Sequence, residues 1–296
     1  MSTTARRKKI EEVKMLLKLE PSLKLAYVEG KFDRDLYRWE LQRRGRRDIT
    51  VYEICTLDVP AELLRKHNLT SGERQRLIAA SKELSNDHTL HNRLMFLIDA
   101  DFDYVLDVPE PARPLHRTIG SCTESLFSRS DVLSRFIEVG MGKDGAESIA
   151  DKVIDLAHKF LRSVFSLRAL NEQKSFNWNF EKTSLSKCFD KKTGAFSFLS
   201  YCNSVAGNNA CQKYMKENLD EWLAPIEESA AKLSFDKVIH GHDFVEAIGR
   251  LLQSIGINEK YLDDAMALGR LLLASIEWEM VKDDPMIKQM NDVLPR

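Results

Sequence analysis

The run LMFLIDADFD, residues 94–103, limits what this chain can fold into more than any other stretch. Leu94 to Ile98 are apolar without a break, and the run stops at Asp99, Asp101 and Asp103. An unbroken run of this length, with Phe and Ile in it, suits a strand buried on both faces at the centre of a parallel sheet. Ligands of such sheets bind beyond the carboxyl ends of the strands. On continuing extended backbone the three Asp side chains would point one way, successive pairs about 7 Å apart. Carboxylates so arranged repel one another unless a cation lies among them, and their oxygens suit Mg2+ or Mn2+. Solvated acids at a strand end are the plainer alternative.

The chain before this run has the alternation of an α/β domain. Ile10, Val13, Leu16 and Leu17 have helical spacing, and Pro21 ends that helix. LKLAYVEG (23–30) predicts a strand closing on Glu29 and Gly30, and KFDRDLYRWELQRR predicts a helix behind it. Phe32, Leu36 and Trp39 are the residues expected to pack that helix on the sheet. Asp33 falls in its first turn, where the helix dipole favours a carboxylate; it is either a cap or a metal ligand. ITVYEIC (49–55) is a second strand, and residues 60–85 read as one or two helices with a turn at Thr70-Ser71-Gly72. The first 103 residues thus run β-α-β-α-β, as in a parallel sheet flanked by helices. The first and third strands both end in acids.

Further along, Ser121 or Thr123 would cap a helix starting near Glu124, with Leu126 and Phe127 as buried anchors. From about residue 146 a long amphipathic helix is expected, with Ile149, Val153, Leu156, Phe160, Val164 and Leu167 along it. Residues 176–202 are aromatic-rich and leave room for short strands, while 209–233 and 243–281 return to helix. Asp243 reads as the N-cap of a helix burying Phe244, Ile248, Leu251 and Leu252. The division expected is residues 1–135 for the α/β part and 136–296 for a mainly α-helical region.

Composition excludes some classes. With 43% apolar and 30% charged residues the chain is globular, and no run approaches the 18 apolar residues of a membrane span. The N-terminus lacks the apolar core of a signal peptide. The five cysteines form an odd set without CxxC spacing, so reduced thiols are expected and neither a zinc site nor a disulfide framework. Net charge is −1, yet residues 1–47 carry a local balance of +7, concentrated in Arg6-Arg7-Lys8-Lys9 and Arg43-Arg44-Gly45-Arg46-Arg47. Such patches bind phosphate backbones or are solvated helix faces. The P-loop, Rossmann, zincin and serine-hydrolase signatures are absent.

VEGKFD (28–33) and LIDADFD (97–103) together resemble the Toprim signature, a Glu after the first strand and a DxD after a later one. That domain is shared by type IA and II topoisomerases, bacterial primases and OLD-type nucleases. With Thr118, Glu124 and GHDFVEAI (241–248), the chain looks like the DUF4435 family of Toprim-related proteins, most of all the AriB-like effector subunits of PARIS anti-phage defence. The Toprim likeness covers roughly residues 20–135, and a weaker likeness covers 236–252.

The resemblance implies a Toprim-like Rossmannoid sheet and a Mg2+-dependent (or Mn2+-dependent) nuclease. Asp99 and Asp101 would bind one or two divalent cations with Asp103 in support. Glu29 would ligate metal or act as general base on the attacking water. Asp33 matches an acid four residues after the first Glu, and Glu124 an acid that OLD-type proteins carry downstream of the DxD. OLD-type nucleases use a late Lys after a Gly; here His242 takes that place, able to donate a proton or contact phosphate. Lys31, Arg43, Arg44, Arg46 and Arg47 are the expected nucleic-acid contacts. AriB-like proteins are held by an AriA-like ATPase of the ABC type, dimerise on release and cut host tRNA. The partners implied are therefore such an ATPase, tRNA and a second copy, without a membrane, in the cytoplasm. An OLD-type DNA nuclease and a non-catalytic, partner-binding subunit are the other readings.

Overall fold

The computed structural model describes residues 6–190 and 195–296. It is an α/β protein whose chain forms two compact units. The first holds the residues up to Asp99, Pro109–Ile119 and Trp278–Arg296; the second holds Ala100–Val108 and Gly120–Glu277. The single boundary expected near residue 135 is replaced by an interleaved division, because the last segment of the chain returns to the sheet.

In the first unit β1 (Lys8–Lys9) leads into α1 (Ile10–Leu19), then β2 (Lys24–Val28), α2 (Lys31–Arg43), β3 (Ile49–Glu53), β4 (Leu57–Asp58), α3 (Ala61–Lys66), α4 (Glu73–Leu84), β5 (Leu94–Ile98) and β6 (Leu115–Arg117). β1 pairs with β4, and the other four strands form a parallel sheet in the order β3-β2-β5-β6. The sequence reading placed β2, β3 and β5 but not β6. Side chains alternate along each strand and both faces are covered, which explains the unbroken apolar runs. Leu25, Tyr27, Leu94, Phe96 and Ile98 face a core closed by Val13 and Leu17 of α1 and Leu77, Ala80 and Leu84 of α4. Tyr27 stacks between Tyr52 and Phe96 on this face. Ala26, Val28, Met95 and Leu97 face the other way, against Tyr37 and Leu41 of α2 and against Met290 and Leu294. Met290 belongs to α12 (Pro285–Val293), which follows the short α11 (Trp278–Val281).

The buried stripe of α2 differs from the one expected. Leu36 is buried, but Tyr37 and Leu41 take the sheet-facing positions while Phe32 and Trp39 are half-buried. Trp39 meets Trp278 edge-on at 5.8 Å.

In the second unit the helices are α5 (Ser130–Arg135), α6 (Ala146–Lys174), α7 (Phe198–Asn208), α8 (Gln212–Ala231), α9 (Gly241–Ser254) and α10 (Ala265–Ser275). α6, the long helix expected from about residue 146, packs on α5, α8 and α9 through Ala150, Val153, Ala157, Leu161 and Val164. The helix expected near Glu124 is a 3-10 turn, Thr123–Ser128, with Leu126 and Phe127 buried as anticipated. α9 begins two residues before Asp243, so Asp243 is not its N-cap. Gly249 lets α9 approach the turn Lys260–Asp263: a Cβ there would lie 2.4 Å from the Leu262 carbonyl oxygen. All five cysteines are free thiols. No described helix is long and apolar enough to cross a membrane.

Glu40 on α2 is fully buried, ion-paired with Arg44 through one oxygen, and its Oε2 has no hydrogen-bond partner. Burial pushes its carboxyl up to about 7, against the pull of Arg44. With the folded-state value raised, the stability it contributes is complete below 4.5 and is lost as pH rises through about 7. In urea melts, Glu40→Gln should gain stability relative to wild type as pH rises across that window; a constant difference would contradict this.

Candidate functional site

β2 and β5 are the first and third strands of the parallel sheet and lie side by side, with β3 and β6 outside them. Successive connections leave in opposite directions at that point, so a crevice opens beyond the carboxyl ends of β2 and β5. Glu29 is the residue after β2 and Asp99 the residue after β5, with Val28 and Leu97 in register one position earlier. Glu29 Oε1 accepts the backbone N–H of Asp99 at 3.0 Å, across 70 residues of chain. Both residues are half-buried.

Other groups of the first unit fix these two. Gly30 opens α2 from extended backbone, and its N–H donates to Asp33 Oδ2 at 3.0 Å. Asp33 is the third residue of the helix and almost buried, so it caps the turn that carries Glu29. Arg74 of α4 donates to the Asp99 carbonyl. The Tyr37 side chain lies one helical turn after Asp33, fully buried, with no hydrogen-bond partner for its hydroxyl. Burial, together with the nearby charges of Asp33 and Asp99, holds that phenol well above its ordinary range. Sequence reasoning found Glu29, Asp33 and Asp99 because each stands beside a strand end or in a helix's first turn. It missed Arg74 and Tyr37, for which only their positions on α4 and α2 could have served as signals.

The equal spacing expected for the three aspartates does not hold. β5 stops at Ile98, and Asp101 adopts a left-handed backbone (φ 44°), which Asp tolerates better than most residues. The Asp103 N–H donates to the Ala100 carbonyl at 2.8 Å, closing a turn. Asp101 and Asp103 belong to the second unit, where the Asp101 N–H donates to the Ser121 carbonyl at 2.7 Å. Ser121 is tied in turn to the carbonyls of Asp236 and Ile239. Glu124 follows on the 3-10 turn and lies against Gly241: a Cβ at Gly241 would come within 2.5 Å of Glu124 Oε2. Glu124 and the start of α9 are therefore brought together, with His242 exposed beside Gly241.

The basic residues expected to contact nucleic acid do not form one patch. Lys31 and Arg43 stand at the two ends of α2, about 18 Å apart along its axis. Lys31, Arg43 and Arg47 are exposed. Arg44 pairs with Glu40, donates to the Lys282 carbonyl at 2.6 Å and lies over the Trp278 ring. Arg46 is 4% exposed and binds Asp48, Asn291 and the Leu294 carbonyl. Arg44 and Arg46 are corrected to internal fasteners of the C-terminal segment, since their donors already have partners within the unit.

The donors at the sheet edge are carboxylate oxygens, the chemistry of a hard divalent cation rather than of zinc or copper. Among the described residues, no group of three or more His, Cys, Asp or Glu stands arranged to hold a metal ion. A cation at Glu29 and Asp99 would thus complete its coordination with water or substrate oxygens, as Mg2+ commonly does.

No family model and no curated protein matches the chain.

Replacing Asp33 with Ala removes the acceptor for the Gly30 N–H and should cost about 1 kcal/mol in a urea melt. Asp33→Asn should recover most of that loss; equal stability of all three proteins would contradict the capping role.

Proposed function

We propose that this chain is a divalent-cation-dependent nuclease of the Toprim kind, acting as the toxic effector of an anti-phage defence system and cutting host tRNA. The observation that supports it is the Glu29 carboxylate seated on the Asp99 N–H at the crevice between neighbouring parallel strands. Two acids from distant segments meet where an open parallel sheet binds its ligands, and they are the two on which the likeness to Toprim domains rests.

Each residue has a part in this reading. Glu29 and Asp99 would hold Mg2+ or Mn2+, with Asp101 two residues further along the chain and Asp103 in support. When bound, the ion supplies Lewis-acid stabilisation to the attacking and leaving oxygens of phosphodiester displacement. Arg74 keeps the Asp99 backbone in place, and the Asp33 cap fixes the turn that aims Glu29. Glu29 would also orient the attacking water and take its proton through an oxygen lone pair not engaged by the Asp99 amide. Glu124 and His242 are assigned by likeness to a supporting acid and to a proton donor or phosphate contact. Lys31, exposed at the start of α2 two residues after Glu29, is the basic residue best placed to meet a phosphate at this edge. Release from an ABC-type ATPase and dimerisation on activation belong to the same proposal.

The capping role of Asp33 and the absence of a ready three-ligand group among the described residues favour a second reading, a non-catalytic subunit that docks a partner. Purified full-length protein incubated with bulk tRNA and with plasmid DNA separates the readings. Cleavage of tRNA with Mg2+, its arrest by chelator, and a loss of about 100-fold or more in Glu29→Gln and Asp99→Asn are expected. Cleavage of the plasmid instead would point to an OLD-type DNA nuclease. Cleavage unchanged in both variants would overturn the assignment of the site.

A further inference from the structure

The second unit contains a cavity of about 1030 Å3 beside α9, large for a ligand site and open to solvent. Along one side run His240, Asp243, Glu246 and Arg250, at the three- and four-residue spacing that places them on one face of the helix. Five carboxylates line it against two guanidinium groups. Both guanidiniums are already paired: Arg168 holds Asp243 in a two-point contact at 2.5 and 2.7 Å, and Arg250 holds Asp263 at 2.9 Å. Glu181, Glu246 and Asp264 are left without a cation among the lining residues. The cavity is therefore acidic, and a polyphosphate backbone would be repelled from it.

Charge alone would not identify a ligand, but two polar atoms in the wall add to it. His240 Nδ1 is buried without a hydrogen-bond partner; its nearest carboxylate, Asp243, lies 3.6 Å away and already holds Arg168. Arg250 Nε is likewise buried and unpartnered. Unpaired buried polar atoms are costly, and both of these line a cavity from which a ligand can reach them. Burial pushes the His240 imidazole down to about 4, so at neutral pH it is uncharged and tolerates a cation beside it. Arg250 Nε–H can only donate and calls for a carbonyl oxygen. A simple amine offers no carbonyl, and a nucleic acid that offers one brings phosphates with it. A peptide bearing Lys or Arg offers a cation and a carbonyl together.

We infer that this cavity receives a basic peptide segment of a partner protein, its Lys or Arg side chain entering towards Glu246 and a peptide carbonyl meeting Arg250. Met266, 80% exposed in the lining, gives the entering segment an apolar contact. This inference stands independently of the nuclease reading, since it uses none of Glu29, Asp33, Asp99 or Asp101.

The test is titration of the full-length protein, labelled with 15N-histidine, with acetyl-Gly-Arg-Gly-amide, following the His240 imidazole by NMR. A saturable shift is expected, weakened about tenfold by Glu246→Gln, which loses one charge-assisted hydrogen bond. Met266→Lys alters only an exposed side chain and should weaken binding in the same direction, which covers the case of a misfolded Glu246 variant. The same peptide with citrulline for arginine should bind at least tenfold more weakly. No shift at His240, an equal response to the citrulline peptide, or saturation by a decauridylate instead would each overturn the inference.

Discussion

The parallel pairing of β2 with β5 is the constraint on which the first unit depends. It sets Val28 beside Leu97 and so delivers Glu29 and Asp99 to the same edge, although they are 70 residues apart. The pairing is maintained by burial on both faces rather than by anything at the acidic edge. Alternate residues of each strand enter opposite cores, one closed by α1 and α4, the other by α2 and α12. A slip of one residue in β5 would exchange the two faces and move Asp99 off the Glu29 carboxylate. Core packing therefore sets the site's geometry, and the site's hydrogen bonds refine it.

The second core needs the end of the chain. Met290 and Leu294 cover Val28, Val51 and Leu97, and Arg46 fastens the covering segment by bonding Asn291 and the Leu294 carbonyl. Arg44 makes the neighbouring attachment at Lys282 and Trp278. The sequence Arg-Arg-Gly-Arg-Arg thus serves two purposes. Arg44 and Arg46 hold the fold together, while Arg43 and Arg47 remain exposed. Charge counts along a sequence do not distinguish these roles, because a buried arginine needs partners that lie far away in the chain.

Legibility followed the strength of local pattern. β2, β3 and β5 carry apolar or β-branched runs that few other structures would accept, and they were readable. β6 is only Leu-His-Arg, and its Arg117 is buried through pairing with Glu110, so no apolar signal announced it. α12 is short and carries Lys288, Gln289, Asn291 and Asp292 among its few apolar anchors; its need for the sheet was invisible without coordinates. Glu29 and Asp99 were legible as acids just beyond strands. The common direction expected for Asp99, Asp101 and Asp103 failed because it assumed continuing strand, whereas Asp101 turns into left-handed backbone. Arg74 and Tyr37 escaped notice because neither makes a periodic or motif-like pattern.

The central claim is that Glu29 and Asp99 form a binding site for a divalent cation. Electron paramagnetic resonance of Mn2+ titrated into the purified full-length protein measures this without requiring turnover or a known substrate. The account predicts loss of the free-ion signal at stoichiometric protein, competition by Mg2+, and recovery of the free signal in Asp99→Asn and Glu29→Gln. Binding of Mn2+ equally tight in wild type and in both variants, or no binding to any of them, would contradict it.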